Sequence, residues 1–137
     1  MRIYVAAKYG RRAKLRSLVA KLEELGHEST SQWINDGEEG RGIQDAAIMD
    51  VQDVLRAECL IFIGEPQGCE IRGGGRWFEF GLAYGRGLRC ICVLNLEELP
   101  NVGDRSHLPP GHESVFSALP NVQIVTSEDD LLTILGD

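Results

Sequence analysis

The chain has 137 residues, of which 43% are hydrophobic and 26% charged, values typical of a single globular domain. Its formal net charge of -7 argues against nonspecific binding to a nucleic acid polymer or to an anionic membrane, although a locally basic pocket could still take a nucleotide. No apolar run reaches the roughly 20 residues that span a bilayer, and the apolar N-terminal segment is too short for a signal peptide, so we expect a cytoplasmic protein.

Short apolar runs alternate with amphipathic segments in the first half of the chain. Leucine and valine recur at helical spacing from Leu15 to Leu25, and Gly26 ends that helix. On a second predicted helix, Ile43–Ala57, four residues define the expected buried arc: Ile43, Ala47, Val51 and Val54. The predicted strands of this half are Arg2–Ala7, His27–Trp33 and Cys59–Gly64.

The second half continues the same alternation. The predicted elements are a helix at Arg76–Arg86, a strand at Arg89–Leu94, a long loop at Leu96–Gly111, a strand at Val122–Val125 and a helix at Ser127–Leu135. Strands that alternate with helices predict one α/β domain over residues 1–137, an open and mostly parallel sheet of about five strands with helices on both faces. Ligands of such sheets bind at the carboxyl ends of the strands, where the strand order reverses.

Cysteine and histidine spacing gives no indication of a metal site. The four cysteines are Cys59, Cys69, Cys90 and Cys92, and no pair has CxxC spacing or a histidine placed to complete a zinc pattern. We therefore expect neither a metal nor a cofactor.

A glycine run before the third predicted helix marks the first candidate site. Gly73, Gly74 and Gly75 precede Glu79, which we place in the first turn of the helix. Unpaired N–H groups and the helix dipole favour a charged carboxylate there, so we expect Glu79 to be ionised near neutral pH. The N–H groups of the three glycines could also hold an anion, and Arg76 and Trp77 flank the segment. The alternative is a carboxylate that only complements the helix dipole.

Two further side chains could act with Glu79. Asp50 lies within the expected buried arc, where a carboxyl group must be paired, hydrogen-bonded or protonated. A protonated acid is suited to glycosidic cleavage, whereas the alternative is a salt bridge to Arg56 or to another base. We interpret Asp53 as a solvated surface charge. The hydroxyl of Tyr4, on the first strand, could orient a carboxylate, and a half-buried aromatic of the strand is an equal alternative.

Gln32 and Trp33 end the second predicted strand. The amide can bind a base edge and the indole can stack on it. A packed tryptophan beside a surface glutamine is an equal alternative.

Four segments resemble the nucleoside 2-deoxyribosyltransferase family and its nucleotide N-glycosidase relatives. They are Arg2–Ala7, Asp50 ahead of Glu58–Phe62, Gly74–Leu88 and Glu113–Pro120. The resemblance covers nearly the whole chain, and the helix of Glu79 is its specific part. It implies a flavodoxin-like sheet, in agreement with the pattern of predicted elements.

The resemblance also implies a mechanism. Glu79 would be the nucleophile that attacks the sugar C1′ and forms a covalent glycosyl-enzyme. Asp50 would contact the base and handle the proton on the departing nitrogen, and Tyr4 would hold Glu79 in position. A second base would then accept the sugar, which gives transfer, or water would, which gives hydrolysis.

The sequence departs from the family pattern near the sugar 5′ end. Gly73 stands where the classical transferases carry an aspartate that binds the 5′-hydroxyl. Its absence leaves room for a 5′-phosphate, with Arg72, Arg76 or the glycine N–H groups as partners. Ser114 stands where some members carry an asparagine from a neighbouring subunit, so the resemblance implies at least a homodimer with a shared site.

Two other functions fit the same segments. One is a nucleotide-binding or sensing module that keeps the fold without turnover, which the glycine at position 73 favours. The other is a hydrolase of cytokinin-type nucleotides, although the PGGxGT motif of that group is absent.

Overall fold

The fold is an open sheet of parallel strands, seen in a computed structural model that describes residues 1–65, 74–96 and 99–136. Within these residues the sheet has five strands, in the spatial order β2-β1-β3-β4-β5. The strands are β1 Arg2–Ala6, β2 Glu28–Ser29, β3 Cys59–Ile63, β4 Arg89–Val93 and β5 Val122–Val125. The predicted flavodoxin-like α/β architecture is confirmed.

Helices cover both faces of the sheet. They are α1 Arg12–Glu24, α2 Gln32–Asp36, α3 Ile43–Leu55, α4 Gly75–Gly85 and α5 Glu128–Gly136. Helix α1 packs with α5 on one face and α3 packs with α4 on the other, while α2 contacts both α1 and α3. Strand β3 is buried along its whole length, which its continuous apolar sequence predicts. Within the described residues, none of these helices is both long and apolar enough to cross a bilayer.

The strand order reverses between β1 and β3. The chain moves outward from β1 to β2, then returns across the sheet to β3 and continues to β4 and β5. Connections on either side of this point leave in opposite directions, which opens a crevice at the carboxyl ends of β1 and β3. The segments after these two strands therefore border one site.

The second strand is shorter than the predicted strand His27–Trp33. Strand β2 covers two residues, and Gln32 already begins α2. The Ser31 hydroxyl accepts a hydrogen bond from the Val5 N–H at 2.7 Å, and the Gln32 N–H donates to the Asp53 carboxylate at 3.1 Å. Here polar side chains, rather than a neighbouring strand, accept the backbone hydrogen bonds. Such side-chain contacts compete with sheet pairing and favour turns and helix starts.

Helix α3 is rotated relative to the predicted buried arc. Ile43 is 92% exposed and Ala47 is exposed, whereas Met49, Asp53 and Val54 are buried. Val54, the last residue of the predicted arc, is buried as expected, and Val51 is partly buried. The two earlier residues differ from the prediction, because Ala47 lines a cavity and Ile43 faces solvent. Helical periodicity therefore predicted the buried face only toward the carboxyl end of α3.

Asp53 is fully buried, and the prediction of a solvated surface charge was wrong. Its carboxylate accepts hydrogen bonds from the Gln32 backbone N–H and, at 2.8 Å, from the Gln32 amide, and it pairs with Arg56. Arg56 thus pairs with Asp53 rather than with Asp50. These contacts offset the cost of burying the charge and tie α2 to α3.

We predict that Asp53→Ala lowers the free energy of unfolding by about 3 kcal/mol, because the Gln32 N–H and Arg56 lose their acceptor. Thermal and urea denaturation followed by circular dichroism measure the loss. Asp45→Ala is the matched control, since Asp45 lies exposed in the first turn of the same helix, and it should cost less than about 1 kcal/mol. Equal losses in the two variants would contradict the structural role of Asp53.

Candidate active site

A cavity of about 510 Å³ opens at the carboxyl end of β1, beside α3 and the start of α4. Its polar lining consists of Tyr4, Lys8, Tyr9, Glu38, Asp50, Arg76 and Glu79. Its other lining residues are Ala7, Trp33, Ala47, Val51, Gly75 and Phe78. The volume lies within the range of small-molecule sites, and the mixture of apolar walls with a few acids is typical of them.

Tyr4 and Glu79 are in direct contact in this cavity. Tyr4 is fully buried on β1, and its hydroxyl donates a hydrogen bond to the Glu79 carboxylate. Burial, followed by the charge of Glu79, raises the pKa of Tyr4 far above its usual range, so the phenol stays protonated and remains a donor. The contact joins β1, which lies between β2 and β3, to the middle of α4.

Glu79 differs from the prediction in position and in charge. Helix α4 begins at Gly75, so Glu79 lies in the second turn rather than the first, where the effect of the dipole has faded. Burial raises the pKa of Glu79 to about 7, and the hydrogen bond from Tyr4 opposes that rise. Glu79 is therefore only partly ionised at neutral pH, whereas the sequence indicated a fully charged acid.

Asp50 lines the same cavity and holds its proton more firmly. Burial raises the pKa of Asp50 to about 8, with further contributions from a hydrogen bond to Glu38 and from the charges of Glu38, Glu79 and Asp53. Its Oδ1 atom is buried and has no hydrogen-bond partner among the described residues. At neutral pH, Asp50 is thus mainly a carboxylic acid that can give up a proton.

Two acids with different protonation states in one cavity are a recurring arrangement for acid–base and nucleophilic chemistry. The ionised fraction of Glu79 can attack an electrophilic carbon, and protonated Asp50 can donate to a leaving group. Tyr4 fixes the orientation of the attacking carboxylate. The cavity therefore contains side chains that could carry out nucleophilic substitution with proton donation to a leaving group.

Trp33 reaches the cavity and Gln32 does not. Trp33 is buried, its indole N–H donates to the Val5 carbonyl at 3.2 Å, and its ring lies 5.9 Å from that of Tyr9. Trp33 therefore gives the cavity an apolar wall, because its only polar side-chain atom, the indole nitrogen, is already hydrogen-bonded to Val5. Gln32 is absent from the cavity lining, and its amide is bound to Asp53.

Arg76 lines the cavity, but its guanidinium is bound within the protein. It makes two contacts with the Glu113 carboxylate, at 3.1 and 3.2 Å, and donates to the Ile63 carbonyl at 3.1 Å. It also lies over the ring of Phe62, 5.0 Å from the centroid. Both charged side chains are almost completely buried. This bidentate pair fixes the first turn of α4 against the end of β3.

The glycine run is only partly described. Gly74 caps α4 and Gly75 is its first residue, and Gly75 lines the cavity. Arg72 and Gly73 lie outside the described residues. Backbone N–H groups at the start of α4 thus border the cavity.

Ser114 lies away from the cavity lining of this subunit. It caps the short 3-10 helix Val115–Ala118, where its hydroxyl accepts from the Phe116 N–H at 3.3 Å. Its neighbour Glu113 is the partner of Arg76 and was not a candidate from sequence, because no spacing relates it to α4.

Sequence reasoning also missed Glu38. Lys8 and Tyr9 line the cavity and belong to the turn after the first strand, Lys8–Arg12, which the strand pattern predicts to border the site, although neither residue was assigned a role. Glu38 lies in a glycine-containing loop with no periodic pattern, so no sequence feature distinguished it.

The described residues contain no cluster of side chains that could bind a metal ion. No group of three or more histidine, cysteine, aspartate or glutamate side chains among the described residues could hold a metal ion.

Comparisons with known proteins give a likeness in fold. No protein-family model matches the sequence, and no curated protein sequence matches it. The chain is similar to the structure of Clostridium botulinum CMP N-glycosidase, BcmB, with a TM-score of 0.63, 17% identity and coverage of 98% of both chains. It is also similar to a conserved protein from Enterococcus faecalis V583, with a TM-score of 0.71, 20% identity and coverage of 98% of this chain and 96% of the other. The chain therefore shares its complete fold with an N-glycosidase and with a conserved bacterial protein.

Proposed function

We propose that the protein cleaves the N-glycosidic bond of nucleosides or of their 5′-monophosphates, with Glu79 as the nucleophile. The observation that carries the proposal is the hydrogen bond from buried Tyr4 to Glu79 in a cavity that Asp50 also lines. The sequence resemblance described above and the fold shared with a CMP N-glycosidase support the same reaction class.

The first half of the proposed reaction forms a glycosyl-enzyme. The ionised carboxylate of Glu79 attacks C1′, and the electron pair of the C1′–N bond moves onto the departing base. Asp50 transfers its proton to that base, so the base leaves neutral and Asp50 becomes a carboxylate. Tyr4 keeps one carboxylate oxygen of Glu79 in place, which leaves the other free to form the bond.

The second half restores the enzyme. A water molecule or a second base attacks C1′ from the side that the first base left, and the bond from C1′ to Glu79 breaks. Asp50, now a carboxylate, takes the proton of the incoming group. Water gives a free sugar, and a second base gives a new nucleoside.

The remaining lining suggests how a substrate is held. Trp33 and Phe78 line the cavity and would provide apolar surface for a base. The N–H groups of Gly74 and Gly75 at the start of α4 remain proposed contacts of a 5′-hydroxyl or a 5′-phosphate, and of the two only Gly75 lines the cavity. Arg72 and Gly73 remain proposed 5′ contacts. We assign Arg76 to positioning α4, because its guanidinium is already bound. A homodimer to which Ser114 contributes from the neighbouring subunit also remains a proposal.

The direct test is incubation of the purified protein with each nucleoside and deoxynucleoside and its 5′-monophosphate, followed by chromatography. Each reaction is run with and without a second free base. Release of base alone identifies a hydrolase, and a new nucleoside identifies a transferase. Thermal stabilisation by a nucleotide without base release would instead support the binding module and overturn the enzymatic proposal.

We predict that Glu79→Gln lowers base release in the same assay by about 10³-fold or more, because an amide cannot attack C1′. Glu24→Gln, at an exposed position of α1, should retain full activity. The melting temperature of Glu79→Gln should not fall, since a neutral amide is less costly than a charge in this buried site. Full activity of Glu79→Gln would show that another group is the nucleophile.

We predict that Tyr4→Phe lowers kcat by about 10-fold to 100-fold and moves the acidic limb of the pH profile to higher pH. The Tyr4 hydrogen bond favours the charged carboxylate and holds the pKa of Glu79 down, so its loss raises that pKa above about 7. Tyr84→Phe is the matched control, because its hydroxyl bonds to the Pro120 carbonyl outside the cavity. An unchanged acidic limb would argue against the Tyr4–Glu79 contact as the cause.

We predict a narrow bell-shaped dependence of kcat/KM on pH, with its maximum between about 7 and 8. Activity rises as Glu79 ionises, with a pKa of about 7, and falls as Asp50 loses its proton, with a pKa of about 8. Asp50→Asn should remove the alkaline limb along with most of the activity. A profile that stays flat up to pH 9 would contradict the role of Asp50 as the acid.

A further inference from the structure

Tyr9 connects two segments of the chain at the cavity. It begins the short 3-10 helix Tyr9–Arg11, just after β1, and its hydroxyl meets the loop of residues 37–42, between α2 and α3. That hydroxyl accepts a hydrogen bond from the Glu38 N–H at 2.8 Å and donates one to the Glu39 carboxylate. Tyr9 and Glu38 both line the cavity. One hydroxyl group therefore uses its donor and its acceptor capacity on the same loop.

The ring of Tyr9 is packed on a well-anchored part of the fold. It contacts the hydrophobic core, and its centroid lies 5.9 Å from that of the buried Trp33 ring. Trp33 in turn donates its indole N–H to the Val5 carbonyl of β1 at 3.2 Å. The Tyr9 hydroxyl is thus presented to the loop by a side chain that is fixed against the sheet.

Arg12 adds a further contact to the same loop. Its guanidinium lies 5.3 Å from the centroid of the Tyr9 ring, and its Nη2 atom lies 3.6 Å from Glu39 Oε1. The hydrogen bond from Tyr9 is the largest of the effects that lower the pKa of Glu39, so Glu39 stays an ionised acceptor. The Glu39 side chain is 66% exposed, and an ion pair this exposed contributes little by itself. Tyr9 is therefore the main member of this group.

Gly37 lets the loop come close to these side chains. A Cβ atom at position 37 would lie 2.5 Å from Glu39 Oε2, 2.9 Å from Arg12 Nη1 and 3.1 Å from the Tyr9 hydroxyl oxygen. The φ of Gly37 is +72°, a conformation that also favours glycine. A larger residue would push the loop away from Tyr9.

Packing does little to hold the rest of the loop. Residues 39–42 are exposed, and the hydrogen bond from the Arg41 N–H to the Glu38 carbonyl, at 3.2 Å, is internal to the loop. A segment with few buried apolar contacts opens locally at a small cost in free energy. The position of the loop therefore depends on polar contacts such as those of Tyr9.

We propose that Tyr9 is a positioning residue whose hydroxyl fastens the loop of residues 37–42 against the turn after β1 and so completes one wall of the cavity. The fastening follows from the contacts of the loop, and only its effect on turnover rests on the proposed function. When the loop is fastened, a substrate meets a preformed wall. When it is not, part of the binding free energy is spent on ordering the loop.

The effect should therefore fall on substrate binding rather than on the chemical step. Tyr4, Asp50 and Glu79 come from β1, α3 and α4, and none of them belongs to the loop. Loss of the Tyr9 hydroxyl leaves these three side chains on their own elements. We expect a higher KM with little change in kcat, the pattern of an interaction that serves ground state and transition state equally.

The direct test is amide hydrogen exchange, resolved by residue with NMR, in the unmodified protein and in Tyr9→Phe. The Glu38 N–H should exchange about 5-fold faster or more in Tyr9→Phe, because its acceptor is gone. Tyr84→Phe is the matched control, since it removes a hydroxyl that bonds to the Pro120 carbonyl outside the cavity. It should leave the exchange of the Glu38 N–H unchanged.

Two variants on the other side of the contact separate its parts. Glu39→Ala removes the acceptor of the Tyr9 hydroxyl at an exposed position, and it should speed exchange of the Glu38 N–H about 2-fold or more. It also serves as the test if Tyr9→Phe does not fold. Arg12→Gln removes only the exposed ion pair and should change this exchange by less than about 2-fold.

Kinetics give the second readout. In Tyr9→Phe, KM should rise about 5-fold or more for the nucleoside or 5′-monophosphate that releases base, while kcat stays within about 2-fold. A general loss of folded protein would lower the apparent kcat and leave KM unchanged, so the split separates positioning from a structural role.

The outcomes separate the fastening from the reaction. Unchanged exchange of the Glu38 N–H in Tyr9→Phe overturns the proposal, even if the enzyme is active. Faster exchange with a raised KM supports it, whereas a fall in kcat at unchanged KM overturns the role of Tyr9 in binding. Faster exchange without base release from any substrate supports the fastening and counts against the proposed function alone.

Discussion

The hydrogen bond from Tyr4 to Glu79 is the contact around which the site is arranged. Tyr4 is buried within the sheet, where water does not compete for its hydroxyl, and Glu79 comes from a helix on one face of that sheet. A strand between two neighbours has little freedom, so the donor is fixed before any ligand arrives. The acid is thus oriented by the most rigid part of the fold rather than by a loop.

The start of α4 is held by a second, separate contact, the ion pair of Arg76 with Glu113. Arg76 and Glu113 form a bidentate pair with almost no exposed surface, and Arg76 also contacts the end of β3. A buried pair of this kind is costly if either partner is removed, which makes the start of the helix hard to displace. The loop carrying Glu113 therefore contributes to the position of Glu79 without touching it.

The sequence predicted the sheet well, because buried parallel strands leave continuous apolar runs such as that of β3. It also drew attention to Asp50 and Glu79, since acids among apolar neighbours are unusual. The orientation of the first turns of α3 could not be predicted from the sequence, because Ile43 faces solvent and Ala47 a cavity although both are apolar. Asp53 and Glu38 depend on partners from other elements, which local patterns do not contain.

The raised pKa values of the two cavity acids make the stability of the fold depend on pH. Glu79 and Asp50 have pKa values raised above those of an unfolded chain, so the folded state binds more protons than the unfolded state at intermediate pH. The stability linked to these groups is complete below their unfolded pKa values and is lost as the pH rises through about 7 and 8. Glu79 therefore becomes charged in the pH range in which the last of its stabilising contribution is lost. In the proposed reaction, a covalent bond from Glu79 to the sugar would remove the cost of that buried charge.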